Sequence, residues 1–296
     1  MAVQALSAGT YAILDGVNLG AIVLPDGQAL MIDAGLERDA AKKAWRALTG
    51  IAQRPVALLI THGHADHFGG AAWFAQQGVP IYAPPLEGLY ALEPLLEPLF
   101  LYGGAAPIAE LQGKFTLARQ AIPEFIRLIP GPLTLGDITV QVIPLPGHAP
   151  QQMGLGYGPT CFCGDVVFPE ETLERHPILF CADLDAWLET LARLPELGYT
   201  YYIPGHGPVI TDIAERAAAN VARLREIRAL VWEALSGPRE APEILRAVAA
   251  HYALSFSGPA FYLLALTTIQ AALTSLQRAG EAVVSVEENR LLWRRV

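Results

Sequence analysis

The apolar run PVALLI (55–60) leads without a break into THGHADHFGG (61–70). A segment with the texture of a buried strand therefore delivers three of the chain's seven histidines and one aspartate into six consecutive positions. Polar groups at the end of a buried strand need partners, which limits the folds open to the chain. His62 and His64, two apart on a segment leaving a strand, can point to one side, while Asp66 and His67 begin the next helix. Imidazole and carboxylate at such fixed spacing are what a borderline-soft divalent cation requires, at ligand distances near ~2 Å. Gly63, Gly69 and Gly70 let the backbone turn tightly around them.

Three further candidates each stand at the end of an expected strand: His148 in PLPGHAP, Asp165 in CFCGDVVF and His206 in IPGHGP. Strand ends on one edge of a sheet are where layered α/β proteins gather functional residues. Residues 10–35 read as successive strands broken at DGVN and PDGQ, 36–50 as an amphipathic helix, 71–78 as a helix and 79–84 as a strand. Strand signals return over 138–150 and 153–168, followed by a helix over 183–198 and a last strand over 199–208. This alternation predicts a layered α/β domain over residues 1–210. Residues 86–131 interrupt it. Apolar and punctuated by proline and glycine, they are expected to form short helices and loops, serving as a wall over a substrate pocket, as extra core or as a dimer contact.

From 211 the texture is helical, with helices expected over 212–236, 241–254 and 259–279 and then a hairpin around EEN. Three helices and a hairpin predict a small winged-helix-like C-terminal domain over 211–296. The stripe Phe261, Leu264, Leu266, Ile269, Leu273 and Leu276 is expected to pack onto the main domain or onto a second subunit in a homodimer.

Composition narrows the function classes. Hydrophobic residues make up 52% of the 296, ample for a large core, and the three cysteines (Cys161, Cys163, Cys181) form no disulfide framework. No apolar run approaches the roughly 18 residues of a bilayer span, and the N-terminus lacks the basic start of a signal peptide. A soluble, cytoplasmic protein with no membrane span is expected. The net charge of −9 is unevenly placed: residues 1–210 hold 10 basic and 20 acidic side chains, residues 211–296 hold 10 and 9. Phosphates would be repelled by the front part, and the last expected helix carries Arg278 as its only charge, so nucleic acid is not an expected partner.

Taken in order, MIDAG with Asp33, HGHADH, PGH, GD and PGHG resemble the motif series of the metallo-β-lactamase superfamily of metal-dependent hydrolases, across residues 10–210. The resemblance implies an α/β fold of the αββα sandwich type with a glyoxalase II-like core. It implies two divalent metal ions, zinc first, with iron or manganese as alternatives. By position, His62, His64 and His148 would hold the first, Asp66, His67 and His206 the second, and Asp165 would lie between them. Asp33 resembles the family's aspartate that orients a ligand without binding metal. The implied reaction is attack on a small ester, thioester or lactone by hydroxide formed at the metals, with Asp66 as catalytic proton acceptor.

A phosphodiesterase or ribonuclease using the same metals is the first alternative, since the C-terminal part is similar in architecture to the lactamase-like protein 2 subgroup, which includes ribonucleases. A non-catalytic, metal-binding regulatory protein is the second. Ala149 and Gln151 stand where many members carry threonine and glycine, which predicts a differently shaped loop after His148. Residues 211–296 hold no lysine, unlike the basic helices with which glyoxalase II-like enzymes hold glutathione. His176 follows Asp165 closely enough to be a candidate for the substrate pocket. Cys161 and Cys163 alternate with Asp165 along a strand and are expected as small buried side chains rather than groups facing the metals.

Overall fold

In the computed structural model, which describes residues 1–7 and 9–296, side chains along the central strands alternate between two destinations. The first sheet comprises β1 (Ala2–Ala5), β2 (Thr10–Leu14), β3 (Leu19–Val23) and β4 (Gln28–Ile32), joined antiparallel, then β5 (Arg54–Leu59), β6 (Ile81–Ala83) and β7 (Ile126–Arg127), each parallel to the strand before it. Helices α1 (Arg38–Ala47), α2 (Ala65–Phe68) and α3 (Ala71–Gln76) fall between these strands. The second sheet joins β8 (Gly131–Leu135), β9 (Ile138–Pro144), β10 (Met153–Tyr157) and β11 (Thr160–Gly164) antiparallel, with β12 (Tyr201–Pro204) parallel to β11.

Leu30, Ile32 and Leu59 of the first sheet and Val142, Phe162 and Ile203 of the second fill the space between the sheets. Their neighbours Met31 and Leu58 point the other way, into a layer with Ala41 of α1 and Phe74 of α3. Cys161, Cys163 and Tyr202 point away from the sandwich toward Trp187 and Leu191 of α7 (Leu184–Arg193), which follows the short α6 (Glu170–Arg175). The period-2 alternation of a strand with both faces covered thus builds the expected αββα sandwich. The two cysteines are buried small hydrophobes: burial pushes the Cys161 thiol up to about 12, and Cys163 Sγ donates to the Ile203 carbonyl. A register shift between Phe162 and Gly164, with Gly164 at φ 54°, ends the alternation before Asp165.

The 86–131 insertion contains α4 (Glu87–Leu92), α5 (Leu96–Leu101) and a 3-10 turn (Ala109–Leu111) before β7 closes the sheet edge. Each helix is six residues long: Pro94 follows the end of α4, while Pro98 sits in the first turn of α5, which stops before Gly103 and Gly104 at positive φ.

After β12 come α8 (Ile213–Ala234), α9 (Ala241–His251), α10 (Pro259–Arg278) and the hairpin β13 (Ala282–Glu287) and β14 (Arg290–Arg295). The expected helices and hairpin are present, and they share the core of the second sheet: Leu224 and Ile227 of α8 and Ile269, Leu273 and Leu276 of α10 lie in one apolar cluster with Trp187 and Tyr202. The stripe on α10 therefore packs onto the main domain along most of its length, with Phe261 53% exposed at its start. Polar ties reinforce the seam. Thr268 Oγ1 donates to the Leu179 carbonyl at 2.6 Å, Ser275 Oγ donates to Asp185, and Arg278 pairs with Asp183 and Asp185.

One helix meets the length and composition of a membrane span although no continuous apolar run does. Pro259–Arg278 is long and apolar enough, by length and composition, to cross a membrane. Threonines, serine and glutamines interrupt its apolar runs, so no single run shows the length that the helix as a whole has. Its buried face packs within the apolar cluster just described.

A shared core predicts shared stability. Leu273→Ala should cost about 2–5 kcal/mol and shift the near-UV and far-UV circular dichroism transitions together in a urea titration. Separate transitions for the sandwich and the C-terminal helices would contradict a common core.

Candidate metal centre

Loops following β5, β9, β11 and β12 converge on one point. Three ring nitrogens meet there: His62 Nε2 and His148 Nε2 lie 3.1 and 3.0 Å from His64 Nδ1. Beside them Asp165 stands between the two groups, with Oδ2 3.5 Å from His148 Nε2 and 3.4 Å from His206 Nε2, and Oδ1 3.3 Å from His67 Nε2. Asp66 completes the second group, 3.5 Å from His206 Nε2 and 4.0 Å from His67 Nε2. All seven expected ligands are brought together, as three overlapping groups of metal-ligating atoms.

The rings are held from behind, and these bonds fix their tautomers. Asp33 accepts from the Thr61 N–H and the Thr61 hydroxyl, both at 2.8 Å, and from His67 Nδ1 at 2.8 Å. A carboxylate only accepts, so His67 carries a proton on Nδ1 and turns Nε2 inward. Because the Thr61 hydroxyl is spent on Asp33, its oxygen accepts from His62 Nδ1 at 3.0 Å. His148 Nδ1 donates to the Phe180 carbonyl and His206 Nδ1 to the Gly16 carbonyl. Four rings thus turn their Nε2 atoms into one small space, an arrangement typical of metal-bound histidines.

Electrostatics divide the cluster in two. Burial lowers His62 and His148 and takes His64 down to about 3, so this half is neutral. In the other half burial is outweighed: Asp165, Asp66 and Asp33 raise His67, Asp165 and Asp66 raise His206 to about 10, and His206 and His67 hold Asp165 well below the usual carboxylate range. His67 Nε2 and Asp165 Oδ1, both buried, lie 3.3 Å apart yet make no well-formed hydrogen bond, although native proteins rarely leave such atoms unpaired. A divalent cation is the group that would satisfy both, and the donor set suits one.

Local backbone geometry serves the same end. Asp33 adopts φ 58°, a left-handed conformation that aspartate tolerates and that turns the chain sharply after β4. A Cβ on Gly205 would stand 1.9 Å from Asp165 Oδ1, so glycine is required beside His206. The turn between β2 and β3 reads in sequence only as DGVN. Here Asn18 Nδ2 donates to the Pro204 and Gly207 carbonyls and its N–H to Gly205, clamping the His206 loop.

His176 is exposed at the end of α6. The residue of this connection that reaches the centre is Phe180, its ring 5.0 Å from His64 and 5.7 Å from His148. Sequence alone does not distinguish Thr61, Asn18 and Phe180 as parts of the site. Thr61 alone had a local signal, a hydroxyl adjoining the first histidine.

The sequence profile of the metallo-beta-lactamase superfamily matches residues 13–206. The chain belongs to the metallo-beta-lactamase superfamily. Its members are hydrolases, and the fold agrees throughout: a beta-lactamase domain protein from Burkholderia ambifaria matches with a TM-score of 0.75 at 22% identity, covering 99% of this chain and 94% of that one. An uncharacterized protein of Mycobacterium leprae is 28% identical over 228 residues, 71% of this chain and 91% of the relative. A hydroxyacylglutathione hydrolase of Albidiferax ferrireducens is 28% identical over 184 residues, 59% of this chain and 57% of the relative. As a superfamily member, the chain is a hydrolase with a His/Asp cluster suited to divalent metal.

If Asp33 orients His67 directly and His62 through Thr61, Asp33→Asn should lower metal affinity by about 10–100-fold while leaving the chain folded. Chelator competition on the purified variant measures this, and unchanged affinity would remove Asp33 from the site.

Proposed function

We propose that the chain hydrolyses a small ester, thioester or lactone with two divalent cations, zinc in the first instance. The observation that carries this reading is the pair of facing ligand groups, three imidazole nitrogens on one side and Asp66, His67 and His206 on the other, with the Asp165 carboxylate between them. Such cations, when bound, polarise a carbonyl oxygen and bring deprotonation of water near neutral pH.

The chain's own groups supply the rest. Asp66 and His206, each about a quarter exposed, form the open side of the cluster, whereas His62 and His67 are fully enclosed. The Asp66 carboxylate is placed to accept a proton from an attacking water. Phe180 on one flank and Tyr90 on the other, the latter 5.8 Å from the exposed ring of Phe100, give the approach an apolar lining suited to an acyl or lactone ring. The activity named for the hydroxyacylglutathione hydrolase relative, hydrolysis of a thioester, falls in this class.

Zinc-loaded protein should cleave p-nitrophenyl esters, acyl thioesters or lactones, and lose that activity on dialysis against a chelator. His62→Ala and His148→Ala should each cost more than the roughly 10–100-fold typical of losing an orienting partner. Cleavage of bis(p-nitrophenyl) phosphate with no turnover of carboxylic substrates would assign the site to phosphodiesters instead, and folded, metal-loaded protein inert toward both would overturn the reading.

A further inference from the structure

Two loops supply the three-histidine half; the Met153 N–H bonded to the Thr61 carbonyl at 2.9 Å joins them at one end, and one carboxylate spans them nearer the histidines. Glu87, the first residue of α4, is 1% exposed. Its Oε2 accepts from the N–H of Gly63, between His62 and His64, at 3.0 Å, and its Oε1 accepts from the N–H of Gln151, three residues beyond His148, at 2.7 Å. Gln151 returns the contact, its Oε1 accepting from the Leu86 N–H at 2.8 Å. The fit is tight: a Cβ on Gly63 would lie 2.6 Å from Tyr90 Cδ2 and 2.9 Å from Glu87 Oε2, so glycine is what lets the loop approach α4.

The bonds to Thr61 and to the Phe180 carbonyl set the rotation of the His62 and His148 rings, but they do not set how far apart the two loops stand. That separation determines whether His148 Nε2 meets His64 Nδ1. Hydrogen bonds from backbone N–H groups to a carboxylate are among the stronger kind, and removing the acceptor leaves the buried Gly63 N–H unpaired and frees the partly buried Gln151 N–H. We infer that Glu87 is a positioning residue for the three-histidine half, its carboxylate fixing the separation of the His62–His64 and His148 loops while Gln151 seats the start of the insertion on the same point. The insertion is thereby indexed to the metal-binding loops, and the apolar wall that Tyr90 begins keeps its place relative to them. The other half is held independently, His67 by Asp33 and His206 by Gly16.

This inference rests on the three-histidine half binding a divalent cation. The test uses the full-length chain and cobalt(II), with affinity from competition against a chromophoric chelator and ligand geometry from the visible d–d absorption. Glu87→Ala should weaken cobalt binding by about 10–100-fold and alter the d–d bands. Glu87→Gln, which keeps one acceptor, should fall between it and the wild type. Glu93→Gln removes an exposed carboxylate at the end of the same helix and should change neither. A lower melting temperature with wild-type affinity and spectrum in Glu87→Ala would mark a purely structural role and overturn the inference. Should that variant not fold, Glu87→Gln and Gln151→Gly decide, and wild-type cobalt affinity in both overturns it. Because ester cleavage is not the readout, a wild-type chain that binds cobalt but hydrolyses nothing counts against the proposed function alone.

Discussion

The Asp33 carboxylate accepts three hydrogen bonds in a space closed to solvent, from the Thr61 N–H, the Thr61 hydroxyl and His67 Nδ1. It joins the end of β4 to the end of β5 and to α2, and it needs a left-handed backbone to do so. A buried carboxylate is tolerable only when fully engaged, so these three bonds stand or fall together. Through Thr61 the same group decides which nitrogen His62 turns inward. One side chain thus governs the donor atoms of both halves of the cluster.

The two halves differ in charge for reasons set by their surroundings. The three-histidine half is held neutral by enclosure and by the proximity of like groups, which favours lone pairs over protons. The other half concentrates two carboxylates, which draw positive charge into the place between them. A cation held there would displace protons, whereas the first half would offer it nitrogens that are already bare.

Much of this was legible in the chain itself. The candidate ligands were readable because metal chemistry restricts residue type and because tight loops demand glycine at set positions, so HGHADH, PGH and PGHG stood out locally. The layered α/β order was readable from the alternation of strand and helix signals, and the sandwich from the resemblance that the motif series carries. Glu87 was not, because what it holds are backbone N–H groups 24 and 64 residues away, and a backbone group has no sequence signature. Gln151 marked a departure in the loop after His148, but its partner could be found only in space. His176 and Phe180 illustrate the limit: four residues apart in an irregular connection, only one reaches the centre, and no periodicity says which. Likewise the short β1 and β7 edges have too few residues to show a pattern.

The hydroxyl of Thr268, in the middle of α10, is bonded to the Leu179 carbonyl, and the next carbonyl along, that of Phe180, is the one that orients His148. Two consecutive peptide groups therefore face opposite clients, the C-terminal layer on one side and a ring of the His/Asp cluster on the other. In evolutionary terms the C-terminal helices are not a detachable accessory. Exchange of that segment between relatives would carry a foreign partner to the 179–180 strut, so α10 and the loop beneath it are expected to be inherited as one unit.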